Sequence, residues 1–141
     1  MVTSPGVLEA IGLAIKVHYG QVDKGGVPYI THLIRVMNQM DSDTERMVAI
    51  LHDALEDSPL TLEDLERSEY PAEVIEAIDC LTRVKDDTYR EYIEKLKLNL
   101  LARKVKIADL RDNTDASRSK NLRSGDLLKR YQDALEILMS D

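Results

Sequence analysis

Ile50-Leu51-His52-Asp53-Ala54-Leu55-Glu56-Asp57 decides how this chain is read, because it sets an imidazole and three carboxylates inside an otherwise apolar run. Ser42 reads as an N-cap and Glu45 as its reciprocal partner in a capping box, so the pattern predicts a helix from about Asp43 to Asp57. Met47, Val48, Leu51 and Leu55 recur at helical spacing and form its apolar stripe. On such a helix Glu56 follows His52 by four positions and Asp53 by three, and Asp57 follows Asp53 by four, so the polar groups share about one turn. Packed beside apolar surface, they repel and lose hydration unless a cation neutralises them. Two readings stay open on this stretch alone: a divalent-metal site, or a solvated acidic helix end with a hydrogen-bonded histidine. The macrodipole disfavours acidic groups at a helix C-terminus and so leans toward the metal.

Outward from this stretch the chain reads as all-α. Ser4-Pro5 supplies a cap and a first helical residue, and Val7, Leu8, Ile11, Ala14 and Ile15 make a stripe ending at His18, which reads as a core histidine rather than a ligand. Three glycines and Pro28 make Gly20–Pro28 a loop, with Lys24 as a charge beside backbone N–H groups. A helix with Leu33, Val36, Met37 and Met40 on one face follows, and His32 stands near its start. Thr61 caps a short acidic helix, and Tyr70-Pro71 opens another carrying Val74, Ile78 and Leu81. Thr88 caps a helix with Tyr89, Tyr92, Ile93 and Leu96 on one side and Arg90 and Lys95 toward solvent. Asn99 caps the helix that runs to about Thr114, on which Asp109 follows two apolar residues directly. A buried-looking aspartate there must be paired, hydrogen-bonded or metal-bound, and Asp112 and Asn113 share its face. Arg118, Lys120 and Arg123 form a basic stretch, either solvated or phosphate-facing. Ser124 caps a last helix bearing Leu127, Leu128, Tyr131, Leu135 and Leu138.

At 141 residues the chain has the size of one domain, and the expectation is a single unit over residues 1–141. Nineteen Lys plus Arg against 26 Asp plus Glu give a net charge of −7, which argues against a nucleic-acid partner. The single cysteine, Cys80, reads as a small buried thiol. With no long apolar run there is no sign of export or of a membrane partner, and the cytoplasm is the expected location. Oligomeric state is not readable.

Taken in order, His32, His52-Asp53 and Asp109 resemble the H…HD…D metal ligands of the HD phosphohydrolase superfamily. His18-Tyr19-Gly20-Gln21, Pro28-Tyr29-Ile30-Thr31-His32, Leu51 to Asp57, and Val105-Lys106-Ile107-Ala108-Asp109 with Asn113 are similar to the small stand-alone alarmone hydrolases related to the Rel/Spo enzymes, over nearly the whole chain. The resemblance implies a single all-α HD-domain fold in which His32, His52, Asp53 and Asp109 hold one divalent ion, most often Mn²⁺. Their mixed imidazole and carboxylate chemistry also suits Fe²⁺, Co²⁺ or Zn²⁺.

It further implies that Glu56 and Asp57 position and deprotonate a water, and that the reaction removes the 3′-pyrophosphate of ppGpp or pppGpp, leaving GDP or GTP. Lys24, Asn113 and Tyr131 match the family's nucleotide-contacting positions, with Arg90 and Arg130 as further basic candidates. The chain departs from the family at Val22, where a base-stacking arginine is expected, at Val27 and at Leu33. These departures leave the metal residues intact and open alternatives: the same chemistry on another phosphorylated nucleotide such as ppApp or NADPH, or a non-catalytic metal- or nucleotide-binding module.

Overall fold

The computed structural model describes residues 5–115 and 125–141. Among these residues there are eight helices: α1 (Val7–Val17), α2 (Ile30–Asn38), α3 (Asp43–Leu51), α4 (Leu62–Arg67), α5 (Ala72–Leu81), α6 (Tyr89–Leu96), α7 (Leu100–Asn113) and α8 (Gly125–Met139). The only strand-type pairing among them is one isolated antiparallel bridge, Val22 with Pro28. Polar side chains start the helices as the sequence leads one to expect. Ser42, Thr61, Thr88 and Asn99 each accept a hydrogen bond from the backbone N–H three residues on, and Thr61 and Thr88 complete capping boxes with Asp64 and Glu91. Helix α1 starts at Val7, two residues later than the expected start at Pro5, with Gly6 at its N-cap and no side-chain cap; Ser4, the expected cap Ser124 and the basic stretch Arg118–Arg123 lie outside the described residues.

Helix α3 is the axis of the fold, packed against α1, α2, α5 and α7. Its last five residues, Met47 to Leu51, are all buried, and Val48, Ala49, Ile50 and Leu51 have no exposed surface. A helix enclosed on every side needs apolar residues on every side, which is why the burial exceeds the single stripe read from the sequence. Truncating Ile50 to alanine would cost about 2–5 kcal/mol by the usual scale for such cavities. Helix α7 packs on α2, α3, α5 and α8, so α2, α3 and α7 converge and bring His32, His52 and Asp109 together.

Two expectations need correction. Helix α3 ends at Leu51 and not at Asp57, with His52 at its C-cap. The His52 Nδ1 lies 2.6 Å from the Ala49 carbonyl and takes an acceptor that a further helical turn would use; Ala54 N–H then bonds back to Leu51 O in a tighter turn. His52 through Glu56 therefore form consecutive turns, which carry three polar groups without a helix end pressing on them. In α1, Ala10 and Ala14 are the buried residues, whereas Leu8 is 81% and Ile15 49% exposed. Both belonged to the expected stripe, yet they lie at its margins, turned from α3.

Candidate metal centre

His52 sits at the C-cap of α3, His32 in the first turn of α2, and Asp109 in the last turns of α7; all three are buried. One ligand atom from each lies within 4.8 Å of the others. The geometry fixes which ring nitrogens face inward. His52 Nδ1 faces the Ala49 carbonyl, which can only accept, so Nδ1 carries the proton and the lone pair is on Nε2. That Nε2 is buried without a hydrogen-bond partner among the described residues. It stands 3.3 Å from Asp53 Oδ2 and 3.5 Å from Asp109 Oδ1, close but without hydrogen-bond alignment.

His32 is held the same way. Its Nδ1 donates to Asp112 Oδ2 at 2.6 Å, and its Nε2 faces Asp109 Oδ1 at 2.8 Å. Asp112 is itself gripped by the Arg35 guanidinium through two bonds, 2.9 and 3.0 Å, so the ring is braced from behind. A carboxylate facing two imidazole nitrogens needs positive charge between them. Without an ion the second ring proton supplies it: burial opposes a charged His32, but the hydrogen bonds to Asp109 and Asp112 outweigh burial and push its pKa up to about 9. A divalent ion would supply that charge instead. The unpartnered His52 Nε2 and the His/His/Asp donor set both fit one.

Asp53 stands at the edge of the tight group, its Oδ2 accepting from the Tyr29 hydroxyl at 2.5 Å. Burial first, and then the Asp53 carboxylate, raise the Tyr29 pKa, so the phenol stays a donor. Asp109 also meets Lys106 Nζ at 3.0 Å and Asn113 Nδ2 at 3.3 Å. Burial would raise its pKa, yet the Lys106 ammonium and the two histidines hold it well below the usual carboxylate range.

Glu56 and Asp57 lie beside this cluster with much of each residue exposed, although the Glu56 carboxyl is half-buried against Arg83. Glu56 Oε1 accepts from the Arg83 backbone N–H at 2.7 Å, and burial of the carboxyl raises its pKa against that bond. Asp57 Oδ2 lies 3.8 Å from His18 Nδ1. His18 is indeed a buried core histidine, with Nδ1 2.8 Å from Gln21 Oε1, although its Nε2 has no partner among the described residues. Of the residues expected to touch substrate, Asn113 joins the cluster through Asp109, Tyr131 stacks toward Tyr89 with centroids 6.5 Å apart, and Lys24 is exposed in the loop. Arg130 lies over the Tyr89 ring, and Arg90 pairs with Glu94.

Tyr29 and Lys106, seen in the sequence only as parts of motifs, and Arg35 prove to brace the cluster, and Asp112 gains a partner in His32. Arg35 lies three residues after His32 and Lys106 three before Asp109, so helical spacing was the available signal.

Fold and cluster together define an all-helical domain of the HD class, with a buried His/His/Asp group able to hold a metal ion. The comparisons agree, although no family model matches the chain. The chain is 31% identical over 119 residues to the bifunctional (p)ppGpp synthase/hydrolase SpoT of Escherichia coli K12, covering 74% of this chain and 17% of that one. It is 36% identical over 104 residues to the guanosine-3′,5′-bis(diphosphate) 3′-pyrophosphohydrolase of Haemophilus influenzae, covering 71% and 15%. It thus spans about a sixth of the length of the curated relatives it matches. A solved structure of a metazoan ortholog of SpoT superposes with a TM-score of 0.65 at 22% identity, over 96% of this chain and 97% of that one. The protein is an HD-domain, alarmone hydrolase-like chain with the all-helical fold of that group.

Proposed function

We propose that this protein is a metal-dependent pyrophosphohydrolase that removes the 3′-pyrophosphate of ppGpp or pppGpp, with Mn²⁺ as the ion. The observation that carries the reading is the convergence of His32, His52 and Asp109, with the ring proton of each histidine committed away from the centre. Likeness to relatives named as ppGpp pyrophosphohydrolases supports the substrate. His32, His52, Asp53 and Asp109 would hold the ion. When bound, such an ion acidifies a water and screens charge that builds on phosphoryl oxygens.

The chain's own groups account for the rest. Glu56, its pKa raised by burial and its Oε1 steadied by the Arg83 N–H, is suited to take a proton from the attacking water, with Asp57 beside it orienting that water. Water adds across the 3′-O–P bond: its oxygen joins phosphorus, the 3′ oxygen departs with the bond's electron pair and gains a proton, and pyrophosphate is released with GDP or GTP. Lys106 offsets the buried carboxylate of Asp109 and keeps it ionised. Asn113, Tyr131 and Lys24 would contact the nucleotide.

One observation favours a second substrate. Val22, at the position where the resemblance implies a base-stacking arginine, is 56% exposed in the loop and offers an aliphatic patch instead of a cation. The test is to load purified protein with Mn²⁺, incubate it with ppGpp, pppGpp, ppApp, NADPH and GTP, and follow pyrophosphate and phosphate release. Preferred turnover of ppGpp or pppGpp supports the first reading. Turnover confined to ppApp or NADPH replaces it with the second, and silence across the panel with a full metal complement makes the protein a binding module.

A further inference from the structure

Tyr89 opens α6, and its hydroxyl oxygen is buried yet has no hydrogen-bond partner among the described residues. The neighbouring Tyr92, by contrast, donates to the Leu81 carbonyl at 2.6 Å. A buried phenol left without a partner destabilises a folded chain, and such a group is retained where something else supplies the acceptor. Cations lie against its ring and against that of its neighbour. The Arg130 guanidinium lies 3.8 Å from the Tyr89 ring centroid and that of Arg83 5.7 Å, while Lys106 Nζ lies 5.4 Å from the adjoining Tyr92 ring.

The same residues tie Tyr89 to the metal centre. Arg83 holds Glu56 through its backbone N–H, Lys106 holds Asp109, and the Tyr131 ring packs 6.5 Å from the Tyr89 ring. A hydroxyl donor on a ring that carries two guanidiniums, with an ammonium over the adjoining ring, is matched to an acceptor that is anionic and has several oxygens.

We infer that the Tyr89 hydroxyl, flanked by Arg83 and Arg130, is a phosphate-binding donor that grips a phosphate of the nucleotide substrate on the α6–α8 side of the metal centre. This deepens the proposed function and rests on a phosphorylated nucleotide being the ligand. Tyr89 is a binding residue, and its donated hydrogen bond is made only when ligand is present. The binding site therefore extends past the residues carried over from related enzymes to a tyrosine–arginine stack on α6 and α8.

The test is Tyr89→Phe, which removes the oxygen and keeps the ring. Thermal unfolding is measured without ligand, and ppGpp and inorganic pyrophosphate are each titrated calorimetrically into metal-free protein, so that neither probe is sequestered by metal. A structural tyrosine and a ligand-binding one then give opposite patterns. The expected result is a melting temperature equal to or above wild type, because an unpartnered buried group has gone, with affinity for one or both probes falling about five- to tenfold. Arg130→Gln should weaken the same probe with a similar melting temperature. A lowered melting temperature in Tyr89→Phe, or unchanged affinity for both probes, overturns the inference. Failure of the proposed function is separate: wild-type protein would then turn over none of the nucleotides, whatever Tyr89→Phe does to binding.

Discussion

Replacing Lys106 with methionine isolates what the charge cluster costs when no ion is bound. The Lys106 ammonium sits 3.0 Å from Asp109 Oδ2, with the two side chains only 12% and 6% exposed. Methionine preserves most of the stem's packing, so the substitution chiefly removes a positive charge from a buried carboxylate. Breaking one side of a buried pair costs about 3–5 kcal/mol. Asp109 keeps His32 at 2.8 Å and Asn113 at 3.3 Å, which places the expected loss at the lower end, about 3 kcal/mol. For a domain of this size that is a fall of roughly 10 °C in melting temperature. With Mn²⁺ present the loss should shrink to half or less, because the ion takes over neutralisation of Asp109 and binds the variant with less repulsion. Calorimetric melts in chelator and in excess Mn²⁺ measure both. Equal losses in the two conditions, or no loss in chelator, would refute the view that Lys106 and a metal ion share the task of balancing this carboxylate.

Other predictions follow from the same geometry. Asp53→Ala should lose both bound metal, measured by elemental analysis, and turnover; full metal content would remove Asp53 from the ligand set. Glu56→Gln should retain the metal and reduce kcat at least about a hundredfold, the scale of a positioned proton acceptor, and unchanged turnover would exclude it from that role. Val22→Arg should lower KM for ppGpp severalfold while leaving kcat near wild type, and an unchanged KM would show that the exposed loop position does not face the base. In metal-free protein His32 has a pKa of about 9 against 6.5 for a free imidazole. A raised pKa stabilises the fold fully below about 6.5 and loses that contribution as pH rises through about 9, so the melting temperature should decline over that window. Asp112→Asn should flatten the decline, and a wild-type profile level across it would contradict the His32–Asp112 pairing.

The helical elements were legible because capping residues and apolar spacing are local signals, as Thr61, Thr88 and Asn99 illustrate. The buried state of Asp109 was legible for the same reason, from its apolar neighbours. The early end of α3 was not. Consecutive turns keep nearly the same side-chain spacing as a helix, and the decisive contact is a histidine ring bonding to its own chain at Ala49. The braces were hidden too: Asp112 reaches His32 and Arg35 across almost eighty positions of sequence, and Tyr29 meets Asp53 across 24. Periodicity reports which side of a helix is apolar. It does not report which polar groups meet across helices.

The loop between α1 and α2 is stitched at its base by Tyr29 N–H to Gln21 O and Asp23 N–H to Val27 O, while the Asp23 carboxylate collects the N–H groups of Gly25 and Val27. Its tip, Lys24 to Val27, projects outward from this clasp, and Tyr29 links the lower end directly to Asp53. The arrangement lets the tip diversify under selection while its foundations stay registered with the reactive centre. Substitutions at the apex then leave the clasp, and its link through Tyr29 to Asp53, in place.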